Sequence, residues 1–184
     1  MRLARGALLL GALWLGMAVA QERAAAAAAP TEQQLKAVFV FNFSHFVAWP
    51  PSAFASPTDP FVIGVLGNDA FAAQVEEAVH DERLDTHPLE VRRFARVDDI
   101  QDCRILYIDR SQQAALGRVL TLLDHRDTLT VSDLDDAAKR GIIIQLATED
   151  NRIRLLINTE SAHSAGLTIS SNLLRLARVA HTGD

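Results

Sequence analysis

The first segment with a clear pattern is a long apolar run that begins just after Pro30. Thr31 is a good N-cap, and the following residues predict a helix over 32–49 that ends at Pro50, because proline blocks helix continuation. A helix that is apolar on most of its faces must also be covered on most of them. We therefore expect this helix to be buried in its own domain or to meet a partner with part of its surface. From position 37 onward, polar side chains interrupt it only at Asn42, Ser44 and His45.

Shorter segments further along have the continuous apolar or alternating pattern of β-strands. Helices are predicted between them, after Asp69, after Ser111 and, as a short turn, over 134–140. Another helical stretch begins at Asn158, and a last helix is capped by Ser170 and Ser171 and extends to about Val179. The six predicted strands cover residues 61–67, 89–94, 104–108, 128–131, 142–146 and 153–157.

The alternation of strands and helices predicts the fold class. Strands that alternate with helices are typical of a parallel sheet with helices on both faces. The last two strands are separated by the polar turn Glu149-Asp150-Asn151, which predicts an antiparallel hairpin. We therefore expect an α/β fold: a single three-layer domain with a mainly parallel sheet of about six strands, an antiparallel hairpin at one edge and helices on both faces.

The N-terminus has the pattern of an export signal. Arg2 and Arg5 precede an apolar stretch, and Ala18-Val19-Ala20 supplies the small residues of a cleavage site. We predict a signal peptide over residues 1–20, a flexible leader over 21–30 and an α/β domain over 31–184. The apolar run is too short for a comfortable transmembrane helix. In a bacterium the expected location is the periplasm, with no membrane span after cleavage. The alternative is that the apolar stretch remains as a short N-terminal anchor.

Composition and charge exclude several classes of protein. The chain has 184 residues and a formal net charge of −5, with lysine only at Lys36 and Lys139. A nucleic-acid groove needs a concentrated cationic surface, and no run of lysine and arginine residues stands out in the sequence, so such a groove is not expected. The single cysteine, Cys103, excludes a disulfide within the chain. It is either an inert buried thiol or, less favoured, one that pairs between two chains.

No motif in the chain points to catalysis, a cofactor or a metal. Gly64 and Gly67 lack the third glycine and the spacing of a dinucleotide fingerprint. The six histidines form no pair at a known ligand spacing, and no serine lies in a nucleophile elbow. We therefore expect a protein that is not an enzyme and has no cofactor.

Polar residues at the ends of three predicted strands give one candidate site. The carboxyl ends of parallel strands line the crevice in which ligands usually bind, so these residues could form a small-ligand pocket. Each of them also directly precedes a predicted helix, where Asn, Asp and Ser act as caps, and this interpretation is preferred. The residues are Asn68, Asp109, Ser132 and Asp133.

The second candidate site is apolar. The aromatic first helix and the predicted last helix hold much of the bulky apolar surface outside the sheet, and a small domain cannot easily cover all of it. Surplus surface of that kind marks a protein interface. The expected partner-binding residues are Phe46, Trp49, Ile169, Leu173 and Leu174.

The chain also resembles the YfiR-like family of periplasmic proteins. The resemblance is carried by the opening segment LKAVFVFNFSHFVAWP (35–50) and by the strand IGVLG (63–67). It continues in order to the segment GLTISSNLLRLAR (166–178). The segments between these two that resemble the family are CRILYI (103–108), LTVSD (129–133) and RIRLLIN (152–158).

The resemblance implies a repressor that binds the exported sensor region of an inner-membrane diguanylate cyclase and holds it inactive, which lowers cyclic di-GMP signalling and biofilm formation. It also implies a homodimer without catalytic residues. The family's best-known member has two disulfides, whereas this chain has only Cys103, so redox control within the chain does not carry over. The alternative function is a periplasmic small-ligand sensor that acts with another membrane sensor, such as a histidine kinase.

Overall fold

An eight-stranded, mainly parallel β-sheet organises the fold in a computed structural model that describes residues 29–124 and 126–183. Its strand order is β10-β8-β7-β6-β5-β2-β4-β3, and β1 pairs with β9 in a separate two-stranded ribbon. The predicted signal peptide and the leader up to residue 28 lie outside the described residues. The strands are β1 Val47–Ala48, β2 Phe61–Leu66, β3 Arg83–Leu84, β4 His87–Phe94, β5 Ile105–Ile108, β6 Leu129–Ser132, β7 Ile144–Glu149, β8 Arg152–Asn158, β9 Thr168–Ile169 and β10 Ala177–Ala180.

The described residues also form five α-helices and three short 3-10 helices. Thr31 begins the first helix with a capping box. Its hydroxyl accepts the backbone N–H of Gln34 at 3.2 Å, and the side-chain oxygen of Gln34 accepts the backbone N–H of Thr31 at 2.8 Å. Asn68 caps the second helix in a similar way, accepting the Phe71 N–H. The α-helices are α1 Glu32–Phe46, α2 Asp69–Ala78, α3 Leu116–Leu122, α4 Thr159–Ser164 and α5 Ser171–Leu174, and the 3-10 helices are Pro51–Ala53, Val97–Asp99 and Arg110–Ala115.

Two apolar clusters form the core, one on each face of the sheet. Because successive side chains of a strand point to opposite faces, Ile105 and Tyr107 of β5 join one cluster, and Leu106 and Ile108 join the other. Helices α1 and α2 pack on the first cluster and α3 on the second. The continuous apolar strands in the centre are thus buried on both faces, as the sequence pattern predicts. No helix in the described part of the chain has the length and apolar character needed to cross a membrane.

The predicted sheet is correct in its six strands but incomplete at both edges. The short strand β3 extends one edge, antiparallel to β4, and β10 extends the other, parallel to β8. The β7–β8 hairpin is antiparallel as expected, but its prediction as the edge of the sheet is wrong, because β10 lies outside it.

The predicted last helix is also wrong beyond its first turn. Ser170 caps a helix as expected, with its hydroxyl accepting the Leu173 N–H at 3.3 Å, but α5 ends at Leu174. The chain then forms β10, in which Ala177 pairs with Leu155 of β8. The open edge of β8 offers backbone partners to this segment, and that pairing overrides the local helical pattern.

Helix α1 ends three residues before the predicted position. Its last residue is Phe46, and Val47 and Ala48 instead pair with Ile169 and Thr168 in the β1–β9 ribbon. The helix stops where this pairing begins, before the chain reaches Pro50.

The buried face of α1 contains a charged residue, Lys36, which is 1% exposed. Its ammonium group donates to Asp133 Oδ2 at 2.9 Å and lies 2.7 Å from Glu32 Oε1. The Asp133 side chain is also buried, and Arg110 donates to the same carboxylate oxygen at 3.2 Å. This ion pair joins α1 to the residue that follows β6.

Cys103 lies just before β5 and is 1% exposed. Burial raises the pKa of its thiol to about 12, because the charged thiolate is disfavoured away from water. A disulfide between two chains requires the two sulfur atoms to meet, and this conformation keeps Cys103 away from a second chain. The structure thus supports an inert buried thiol.

We expect replacement of Lys36 by methionine to destabilise the fold by about 3 kcal/mol, because the buried Asp133 carboxylate loses its buried cation and keeps only the exposed Arg110 as a charged partner. The matched control is Lys139→Met, which removes the only other lysine of the chain at an exposed position and should have little effect. Urea unfolding followed by circular dichroism measures both changes. Equal stability of the two variants would contradict a structural role for the ion pair.

We expect the Cys103 thiol to react with Ellman's reagent only after unfolding. The native protein at pH 8 should be labelled far more slowly than the protein in denaturant, because the thiol is both inaccessible and protonated. Non-reducing electrophoresis of the purified protein should show no covalent dimer. Rapid labelling of the native protein would contradict the buried position.

Candidate interaction surface

Helix α1 has two apolar faces, one packed on the core and the other exposed to solvent. Ala37, Val40 and Phe43 are buried in the core. On the other side the helix exposes three large apolar side chains, which spacing along the helix places on the same face. They are Leu35 (41% exposed), Val38 (46% exposed) and Phe46 (36% exposed).

The β1–β9 ribbon joins the end of α1 to a segment far away in sequence. Val47 pairs with Ile169, and the Ser170 N–H donates to the Phe46 carbonyl oxygen at 2.8 Å. The two segments that the sequence analysis selected for partner binding are therefore neighbours, although more than a hundred residues separate them along the chain.

The five residues selected from the sequence differ in their exposure. Phe46 is exposed, and Trp49, Ile169 and Leu174 are half-buried against the core. Leu173 is 4% exposed and lies in the core, so it is not available to a partner in this conformation. It is buried because it belongs to the one-turn helix α5, which packs on the core through this side chain.

Trp49 connects this surface to the sheet. Its ring packs edge-to-face on Phe61 of β2, with ring centroids 4.9 Å apart. Its indole Nε1 is buried and has no hydrogen-bond acceptor among the described residues. Buried polar atoms are almost always paired, so this donor is an unusual feature at the border of the exposed apolar area.

We call the set Leu35, Val38, Phe46, Trp49 and Ile169 the α1 surface. Sequence reasoning missed Leu35 and Val38. A signal was present, because Leu35, Val38 and Phe46 lie at positions i, i+3 and i+11, which share one helix face. The buried face of the same helix is also apolar, so the sequence shows little difference in hydropathy between the two sides of the helix.

Two of the polar residues at the strand ends, Asn68 and Asp109, lie at the point where strand order reverses. Strand β2 has β4 on one side and β5 on the other, and ligands of open α/β sheets bind at such a switch point. Here Asn68, which follows β2, donates through its side-chain amide to Asp109 Oδ2 at 2.9 Å. Asp109 follows β5, so this hydrogen bond crosses the switch point directly.

These polar atoms serve the local backbone as well. Asn68 accepts the Phe71 N–H and Asp109 accepts the Ser111 N–H, both at 2.9 Å. Both residues act as helix N-caps, which is the interpretation that the sequence analysis preferred. Ser132 donates to the Ile108 carbonyl at 2.7 Å and accepts the Leu134 N–H.

Asp133 completes the strand-end group, and its carboxylate is bound from within the chain by Lys36 and Arg110. Its other oxygen, Oδ1, is buried without a hydrogen-bond partner that meets normal geometry among the described residues. Lys36 and Arg110 thus already balance the charge of this carboxylate from within the chain.

Burial and neighbouring groups shift the pKa values of three residues in this region. Burial would raise the pKa of Asp109, but hydrogen bonds from Asn68 and Ser111 outweigh it and hold the pKa below its usual value. Burial raises the pKa of the Tyr107 phenol well above its usual range, and the nearby Asp133 charge adds to this effect. Hydrogen bonds from Lys36 and Thr148 lower the pKa of Glu32.

A cavity of about 350 Å³ lies elsewhere, between the end of α3 and helix α4. Its walls combine apolar side chains such as Leu120 and Ile143 with hydroxyl groups such as that of Ser161. None of the four predicted strand-end ligand residues lines it. Among the described residues no group of His, Cys, Asp and Glu side chains could hold a metal ion.

Comparison with solved structures supports the fold assignment. The structure resembles the ABC domain in complex with L-Trp from Streptococcus pneumonia, with a TM-score of 0.53 and 12% sequence identity. The match covers 80% of this chain but 60% of that one, so the chain spans less than two thirds of the length of the solved structure. At this identity the likeness concerns the fold alone.

Comparison of the sequence gives the family. No curated protein matches the chain significantly. The family model described as YfiR/HmsC-like matches residues 33–178, a range that begins in α1 and ends in β10. It includes the aromatic α1 segment and the strand-end residues analysed above. Because this match covers most of the sequence, the chain belongs to the YfiR/HmsC-like family.

Proposed function

We propose that this protein is a periplasmic regulator that binds the exported sensor region of an inner-membrane diguanylate cyclase and represses it. Membership of the YfiR/HmsC-like family supports a periplasmic regulator of such a cyclase. The observation that carries the proposal is the exposed apolar face of α1, formed by Leu35, Val38 and Phe46. Apolar patches of this kind mark interaction sites on soluble proteins.

The geometry of the α1 surface is suited to recognition of a protein. Aromatic side chains dominate the energetics of interfaces, and Phe46 and Trp49 lie at the end of the helix, where the β1–β9 ribbon holds the backbone. The buried Lys36–Asp133 pair fixes the other half of the helix. A preformed helix face loses little conformational entropy on binding.

Regulation requires only a binding equilibrium. A repressor can hold the cyclase inactive only if it binds the inactive arrangement more tightly than the active one. Contacts between α1 and the exported region would supply this difference in affinity, and a signal that weakens the contacts would release the enzyme. The effect on the cytoplasmic cyclase domain would be transmitted by the membrane partner itself.

The interior of the protein also favours a binding role. Members of this family are regulators rather than enzymes. The polar groups at the strand ends are engaged in caps, in the Asn68–Asp109 hydrogen bond and in the Lys36–Asp133 ion pair. These bonds stabilise the fold and support the position of α1.

Val38→Asp and Phe46→Asp should each weaken binding to the cyclase by about tenfold or more, because each places a charge in an apolar contact that must lose its water. The measurement is co-purification of the tagged protein with membranes that contain the cyclase, together with the cellular level of cyclic di-GMP. We expect less protein to be retained and more cyclic di-GMP.

The matched control is Ala114→Asp, which introduces the same charge at an exposed position of the 3-10 helix that precedes α3. This variant should bind and repress normally. Circular dichroism and urea unfolding should show that all three variants are folded. Folded α1 variants that still bind and repress would refute the proposed contact. Loss of binding by the Ala114→Asp control would show that the effect of an added charge is not specific to α1.

A further inference from the structure

Two arginines on β8 stand apart from the other arginines of the described chain. Arg152 and Arg154 are exposed, and the structure gives their side chains no hydrogen bond, ion pair or ring contact. Most other described arginines pair with a carboxylate, and the remainder contact a carbonyl, an amide or an aromatic ring. Those with a partner are Arg83, Arg92, Arg93, Arg96, Arg104, Arg110, Arg118, Arg126, Arg140, Arg175 and Arg178.

These two arginines belong to a small basic area on one face of the sheet. Residues two apart on a strand share a face, and Arg178 of β10 is the register partner of Leu156, which lies on that same face of β8. Arg178 pairs with Glu149 of β7 at 3.0 Å. Three arginines and one glutamate therefore give this area a positive charge, although the whole chain has a net charge of −5.

Strand β10, beside this basic area, forms an open edge of the sheet. Its one strand neighbour among the described residues is β8. Two large apolar side chains are exposed here, Leu176 (77%) just before the strand and Val179 (52%) within it. The strand contains no proline, and its one charged side chain, Arg178, is turned to Glu149.

The opposite edge of the sheet is better protected. Strand β3 has only two residues, and it lies between Asp81 and Asp85, both of which have positive φ angles. Short, charged and irregular edges prevent pairing with other chains. Strand β10 is longer, contains no proline and has no residue with a positive φ angle, which makes it better suited to receive a strand.

We propose that the β10 edge binds an extended acidic segment of a partner protein as an additional strand. Backbone groups of the segment would pair with β10. Its carboxylates would meet Arg154 and would compete with Glu149 for Arg178 on one face, and its apolar side chains would pack beside Val179 on the other. This mode of recognition gains affinity from backbone hydrogen bonds and specificity from alternate side chains. The proposal rests on the proposed function only for the identity of the partner.

A protein segment is favoured over an anionic lipid surface for two reasons. A bilayer offers no backbone groups that could pair with the open edge of β10, and the exposed Val179 lies on the sheet face opposite to the arginines.

The test is a fluorescence anisotropy titration of the purified protein with a labelled synthetic peptide of about eight residues, in which valine and aspartate alternate. We expect saturable binding that weakens as salt is added, because the arginines are exposed. The double variant Arg154→Glu/Arg178→Glu should bind about tenfold or more weakly. The matched control, Arg96→Glu/Arg118→Glu, changes two exposed arginines elsewhere and should bind normally.

Two further peptides separate charge from strand pairing. Replacement of aspartate by lysine should abolish binding, and methylation of alternate backbone nitrogens should abolish it too, because it removes the donors of the added strand. Equal binding of either peptide, or unchanged binding by the Arg154→Glu/Arg178→Glu variant when circular dichroism shows it folded, would overturn the proposal.

Two other occupants of the edge would also overturn it. Binding to phosphatidylglycerol vesicles without binding to the peptide would assign the arginines to lipid. Self-association in sedimentation experiments that is lost in the same double variant, again without peptide binding, would assign the edge to a second copy of the chain. Val38→Asp and Phe46→Asp should bind the peptide normally, so a failure here is distinct from a failure of the α1 contact.

Discussion

The buried ion pair between Lys36 and Asp133 is the interaction on which the arrangement of this domain depends. Two charges away from water are costly unless each is paired, so the pair fixes the position of α1 relative to the end of β6. Because α1 is apolar on both sides, packing alone would tolerate other rotations of the helix about its axis. The charge pair selects the rotation that buries Ala37, Val40 and Phe43 and leaves Leu35 and Val38 exposed.

The same interaction affects the place where an α/β sheet usually binds its ligand. The strand ends at the switch point are bridged by Asn68 and Asp109, and Lys36 enters beside them from α1. Polar groups that would face a substrate in an enzyme of this architecture here hold the fold together. The groups that are available to a partner lie on the surface, on the exposed apolar face of α1 and at the open edge of β10.

These two outer features differ in physical character. The α1 surface is a preformed apolar helix face, for which removal of water supplies the driving force. The β10 edge offers unpaired backbone groups beside exposed arginines, so it would recognise an extended segment of opposite charge. A protein that responds to a membrane partner can use both kinds of contact, because two weak contacts on one partner strengthen each other through effective concentration.

The sequence by itself determined the strands of the sheet centre, the start of α1 at Thr31 and the capping roles of Asn68 and Asp109, because periodicity and capping depend on neighbouring residues. Only the tertiary structure decided that Lys36 is buried, that Val47 meets Ile169, that Leu173 lies in the core and that Ala177–Ala180 is a strand. Each of these depends on a partner far away in sequence, such as Asp133 for Lys36 or β8 for β10. A local pattern records which side chains avoid water, but it does not record the distant group that meets them.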